Sequence, residues 1–348
     1  MAKQKQEKSN NWSNYSSTVS AVKAGKISGM YLICGEEKYA IDRLITFLKS
    51  QLVDKNSEAL DYYQKDCTNT ELSIDEFQSL VGSPPFLSRK RVTVIRNSGW
   101  WGARAPSVPK DQEAMKKALT GLPEYACAIF VEEKVDNRKK QLIEAARENG
   151  TLVEISFFSE EQLTKMITDK LAKYGISLPW DSMTSLISRT DSSMRLIDNE
   201  LTKIILYCTN TKTKKVNITL LNQLSVPDVH ASVFDMADAI GQRNVGKALE
   251  ILNDLVLLKE PIPKIRLMLS RHFRQLICVK DLGSGTEITT ALKVQPFVAK
   301  KLVTQARGFT IDQLERLYDL CFETDIMVKN GKMEDRMAME YLLASSVI

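Results

Sequence analysis

The sequence is poor in the residues from which most catalytic and metal-binding sites are built. Its 348 residues hold two histidines, His230 and His272, too far apart in the chain to make a histidine-rich metal site. Six cysteines occur, Cys34, Cys67, Cys127, Cys208, Cys278 and Cys321, and no two stand at C-x-x-C spacing, which excludes a zinc site of the usual kind. There is no nucleophile elbow G-x-S-x-G, no H-E-x-x-H and no dinucleotide fingerprint G-x-G-x-x-G. No metal, no cofactor and no catalytic residue is expected. Long apolar runs are missing too: nothing approaches the roughly 18 residues that a membrane span needs. The polar start MAKQKQEKSNNWSNYSS lacks the apolar core of a secretory signal. Scattered cysteines without such a signal read as reduced, mostly buried thiols of a cytoplasmic protein. Charge of one sign is also scarce. With 48 Lys+Arg against 43 Asp+Glu the net charge is +5, which permits contact with nucleic acid and excludes a general cationic coat.

What is present falls into two halves. Short β-rich runs, Met30–Cys34, Ala59–Tyr63, Val92–Ile95, Ala126–Val131 and Leu152–Ile155, punctuate the first. Helical spacing separates several of them, as in Ile41, Leu44, Ile45 and Leu48, or Ile74, Phe77, Leu80 and Val81 before Pro84-Pro85. Strands apolar on both faces and separated by helices imply a parallel sheet covered on both sides, an α/β domain over 1–156. Trp12, Val19 and Val22 suggest that part of the N-terminal segment packs. From Ser159 onward the periodicity is helical almost throughout. Ser225-Val226-Pro227-Asp228 reads as a linker, dividing a small helical domain at 157–228 from a larger helical one at 229–348. Thr310 with Gln313 fits a capping box.

Three places invite a chemical reading. The first is the strand-to-helix turn at Gly35, where a phosphate loop G-x-x-x-x-G-K-[ST] would sit. Counted from Gly35, the second glycine falls on Ala40, the lysine on Ile41 and the hydroxyl on Asp42, so every chemical requirement fails. Glu36 and Glu37 inside the loop would repel phosphate. Acidic residues that might hold magnesium at a strand end are absent after Ile95, where Arg96-Asn97 follow. Glu132-Glu133 after Val131 read as a solvated strand end. The second place is Gly82–Arg91, where two prolines restrict the backbone beside Phe86 and Leu87. An apolar pair on a rigid edge suits a partner's pocket, although Phe86 packed into its own domain would fit the composition equally well. The third is the basic residues, including a recurrence at Lys264, Arg266, Arg271 and Arg274, which would follow phosphates or form a solvated face.

The order of segments resembles the delta subunit of bacterial DNA polymerase III. The blocks that carry it are Tyr31–Glu37, Pro85–Val92, Ile129–Lys140, Asn199-Glu200-Leu201-Thr202-Lys203, Val233-Phe234-Asp235, Pro296–Lys301 and Lys329-Asn330-Gly331. They run in order along nearly the whole chain. The resemblance implies an AAA+-like parallel α/β domain, a small helical lid and a C-terminal helical collar used for oligomerisation. It implies a clamp-loader subunit that binds and opens the DNA sliding clamp without hydrolysing ATP, counted with a DNA-directed DNA polymerase holoenzyme but carrying none of its chemistry. The implied partners are the sliding clamp, the tau or gamma subunits and delta prime in a ring of five, and primer–template DNA within that complex. The clamp-binding element maps to Phe86, with Leu87 and Pro85 beside it. The family often has a bulkier apolar residue where Pro85 stands, which leaves Phe86 as the main anchor. Arg195 falls where AAA+ lids carry a nucleotide-sensing arginine, and with Gly35, Ala40, Ile41 and Asp42 forming a degenerate phosphate loop it is expected to be structural.

Overall fold

The computed structural model describes residues 12–70, 72–102, 112–225, 229–283, 285–292, 294 and 296–346. The chain divides into two compact units, Met1–Phe157 and Phe158–Ile348. The first contains α1 (Tyr15–Lys23), β1 (Met30–Cys34), α2 (Lys38–Leu52), α3 (Glu58–Asp61), β2 (Tyr62–Asp66), α4 (Ile74–Gly82), β3 (Arg91–Arg96), α5 (Gln112–Thr120), β4 (Ala126–Glu132), α6 (Lys140–Asn149) and β5 (Thr151–Glu154). The second contains α7 (Glu160–Ala172), α8 (Trp180–Arg189), α9 (Met194–Thr211), α10 (Ile218–Leu224), α11 (Val229–Gly241), α12 (Val245–Leu257), α13 (Ile262–Leu282), α14 (Gly285–Leu292), α15 (Pro296–Ala306), α16 (Ile311–Lys329) and α17 (Asp335–Ser345).

The five strands form one sheet in the order β2-β3-β4-β1-β5, with every pairing parallel, as the expected α/β domain requires. Every residue of β1 and β4 is buried, which is why both read as unbroken apolar runs. On one side Phe77, Trp100, Trp101 and Phe130 form an aromatic cluster, with the Phe77 and Trp100 rings 5.1 Å apart edge to face. That cluster holds α4, the helix that leads into the proline turn. Val22 of α1 is buried, as the N-terminal apolar residues suggested.

The second strand departs from its expected place. Residues 58–61 make one helical turn, and the strand runs three residues later, from Tyr62 to Asp66. The reason is Asp61, whose buried carboxylate accepts a hydrogen bond from Ser57 Oγ across that turn at 2.6 Å.

The second unit is helical and has two separate apolar clusters. Leu163, Ile167, Leu186, Ile197, Leu201 and Ile204 fill one. Leu269, Phe273, Leu276, Leu302, Leu314 and Leu342 lie in the other. Thr310 and Gln313 form the capping box at the start of α16. Val226, Pro227 and Asp228 of the anticipated linker lie outside the described residues. The basic recurrence on α13 is not one continuous face. Arg266 is 4% exposed and pairs with Asp325 at 3.0 Å and Asp335 at 3.2 Å, and Lys264 pairs with Glu260. Steps of two, five and three residues do not keep all four side chains on one side of a helix, and Arg266 falls on the inner one. His272 is buried against Gln305, and burial pushes its imidazole down to about 4, so it stays neutral near pH 7. Among the described residues, no helix is long and apolar enough to cross a membrane.

Candidate functional site

The Gly35 turn lies at the C-terminal end of β1, where a phosphate loop would cradle its ligand with backbone N–H groups. Here those groups point at protein. The N–H groups of Glu36 and Glu37 both donate to the Ile155 carbonyl, at 3.1 and 3.2 Å, and Ile155 N–H donates back to Cys34 O at 2.8 Å. The Glu37 carboxylate accepts from Tyr39 N–H at 3.3 Å, so the start of α2 has its own anion. Gly35 has φ +139°, and a Cβ on it would stand 2.1 Å from the Ile155 carbonyl oxygen. The glycine is thus required by the close approach of β5's end and not by a phosphate.

The side-chain positions are filled the same way. Ala40 and Ile41 are buried in the core. Asp42 accepts from Arg96 Nη2 at 2.6 Å, an ion pair where a magnesium-holding hydroxyl and its partner acid would face each other. A cavity of about 310 Å³ nearby is lined by Glu36, Glu133 and Glu154, with Lys134 as the one cation among the described lining residues. That field disfavours anions: burial, then the charges of Glu154 and Glu132, push the Cys34 thiol up to about 12. Glu132 is not the solvated strand end its sequence context suggested. It is 7% exposed and accepts from Ser98 N–H at 2.9 Å and from Ser98 Oγ. Burial pushes its carboxyl up to about 7 against those bonds and the Lys139 charge. Only Glu133 is solvent-facing, paired with Lys38 at 3.4 Å.

The proline turn between α4 and β3 has the opposite character. Phe86 is 68% exposed and Leu87 63% exposed, while Pro85 is half-buried. Phe86 does not pack into its own domain. The backbone beneath the pair is nevertheless fastened. The Asp61 carboxylate accepts from the N–H groups of Phe86, Leu87 and Ser88 at 2.5, 3.1 and 2.9 Å. Ser88 Oγ accepts from Asp54 N–H at 2.9 Å. At the flanks, the Tyr125 hydroxyl donates to Gly82 O at 2.6 Å and Lys90 Nζ to Glu124 O at 2.7 Å. Burial at 1% exposure would raise the Asp61 carboxyl, but the hydrogen bonds from Ser57, Ser88 and the Phe86 and Leu87 amides outweigh it and hold the group well below the usual carboxylate range. Reading the sequence alone missed Asp61. A single aspartate carries no sign that its partners lie some 25 residues further on.

Both turns fall inside a stretch that matches a known family. Residues 31–156 match the family model "DNA polymerase III, delta subunit", and residues 230–346 match "DNA polymerase III delta subunit, C-terminal domain". Together the matches span well over half of the chain.

The chain belongs to the DNA polymerase III delta subunit family.

Among its relatives, the DNA polymerase III subunit delta of Bacillus subtilis (strain 168) is 20% identical over 331 residues, covering 93% of this chain and 94% of that one. A probable DNA polymerase III subunit delta of Aquifex aeolicus (strain VF5) is 23% identical over 269 residues, 76% of this chain and 74% of that one. The solved structure of the Bacillus subtilis DNA clamp loader delta protein superposes with a TM-score of 0.81 at 19% identity, covering 95% of this chain and 98% of that one. At that identity the superposition establishes a shared fold for this delta-family chain.

Proposed function

We propose that this chain is the clamp-binding subunit of a clamp loader, which captures and opens the DNA sliding clamp during replication. The observation that carries the reading is the pair Phe86 and Leu87, which stand in water on a turn whose backbone is tied down. Other large apolar side chains of the chain are exposed too, but here two stand side by side on a fastened turn, and contiguous exposed apolar surface is what marks an interaction site. Phe86 fills an apolar pocket on the clamp, Leu87 adds to the contact, and Pro85 holds the approach angle. The occupied amides at Gly35 and the Arg96–Asp42 pair support a chain that does not hydrolyse ATP itself. Nucleotide then acts in neighbouring tau or gamma subunits, which with delta prime meet this chain through residues 229–348, the collar. Residues 157–228 serve as the lid. Primer–template DNA enters the assembled ring, and the polymerase chemistry belongs to another subunit.

Opening follows from differential affinity. A clamp with one strained interface is a minor population, and a partner that binds it better than the closed form draws the equilibrium toward it. The test is titration of the purified chain against the same organism's sliding clamp, with and without ATP. Micromolar or tighter binding that ignores ATP is expected. No binding, together with ATP affinity, overturns the reading.

A further inference from the structure

We propose that Asp61 positions the clamp anchor: its carboxylate, seated under the proline turn, sets Phe86 and Leu87 in their presented conformation before the clamp arrives. The inference rests on the clamp-binding reading above and adds to it a residue that does not touch the clamp.

Three successive N–H groups, those of Phe86, Leu87 and Ser88, converge on this one carboxylate. A backbone whose N–H groups converge on one side forms an anion-holding concavity. Here the anion is built into the protein, and the two apolar side chains stand exposed above it. The fourth bond comes from Ser57 Oγ, which also lies 3.0 Å from Ser88 Oγ. No lysine or arginine forms an ion pair with Asp61 among the described residues, so its charge is met by dipoles, and three of its four donors belong to the anchor turn. Without this carboxylate, three N–H groups at the base of the turn lose their acceptor. The loop must then either rearrange or be ordered by the clamp at the clamp's expense.

The experiment uses the whole chain and the same organism's clamp. Asp61→Asn keeps the size but turns an amide NH2 toward N–H groups, and it is expected to weaken clamp binding at least tenfold in a chain still folded by circular dichroism. In a Phe86→Ala background the same change is expected to cost no more than threefold, because there is little anchor left to position. A purely structural role predicts no loss, or the same loss in both backgrounds, and either result overturns the proposal. Amide hydrogen exchange of the wild-type chain needs no variant to fold. The N–H groups of residues 86–88 are expected to be protected although their side chains are in water, and rapid exchange there overturns the proposal too. If the wild-type chain fails to bind the clamp, it is the clamp reading that falls, since exchange at 86–88 reports on the cradle without the clamp.

Discussion

Truncating Phe86 to alanine separates binding from folding. An aromatic side chain brings roughly 150–250 Å² into an interface. With 68% of Phe86 still in water, roughly 100–170 Å² is free to be buried, worth about 2.5–4 kcal/mol at ~25 cal/mol per Å². Alanine keeps the Cβ, so the expected loss is about 2–3 kcal/mol, roughly 30- to 150-fold in Kd. The fold itself is expected to change by less than about 0.5 kcal/mol, because the ring makes little of the core. Calorimetric titration against the clamp measures the first quantity and chemical denaturation of the free chain the second. A loss of threefold or less, with the denaturation midpoint unchanged, would show that the ring is not the anchor. A midpoint that falls along with affinity would show that the ring belongs to the domain's own packing.

Other perturbations test the remaining features. Glu132 has a folded pKa raised to about 7, so its contribution is fully present below its unfolded value and is lost as pH rises through 7. Glu132→Gln, which keeps an oxygen for Ser98, is therefore expected to match wild type near pH 4 and to be more stable by roughly 3 kcal/mol at pH 8, as read from denaturation at the two pH values. Gly35→Ala places a methyl 2.1 Å from the Ile155 carbonyl oxygen, and it should cost roughly 3 kcal/mol or more through strain and displaced hydrogen bonds. An unchanged melting curve would contradict the close approach. Arg266→Met removes the cation that Asp325 and Asp335 share and leaves Asp325 with Lys329 alone, at 2.6 Å. Both carboxylates are partly in water, so the expected cost is about 2 kcal/mol, below the fully buried case, and adding Asp325→Asn should recover part of it.

The parts of the fold that were legible in the sequence are those whose signal is local. Met30–Cys34 and Ala126–Val131 read as strands because both faces of a central parallel strand are buried and both show in the residues. The capping box at Thr310 needs only three residues to declare itself. The absence of the phosphate-loop motif is legible as well, since Ala40, Ile41 and Asp42 stand where it needs glycine, lysine and a hydroxyl. What fills that loop was not: the Ile155 carbonyl arrives from the end of a strand 120 residues on. The same limit hid Asp61 and made Glu132 look solvated. In each case a side chain's state is set by a partner distant in sequence, such as Ser98 for Glu132 or Ser88 for Asp61. Arg266 was misplaced for a related reason, as its two aspartates come from the ends of other helices.

The tie between Glu36, Glu37 and Ile155 also limits what side-chain changes can do at this turn. Ala40→Gly, Ile41→Lys and Asp42→Thr together would write a phosphate-loop motif back into the chain. The N–H groups that such a loop offers to phosphate would still be spent on the Ile155 carbonyl, because a main-chain oxygen is not removed by changing side chains. Installing the motif residues alone thus leaves the loop's N–H groups occupied at the backbone. The same tie joins β1, α2 and the end of β5 through main-chain hydrogen bonds, so their connection at this turn does not depend on which side chains the loop carries.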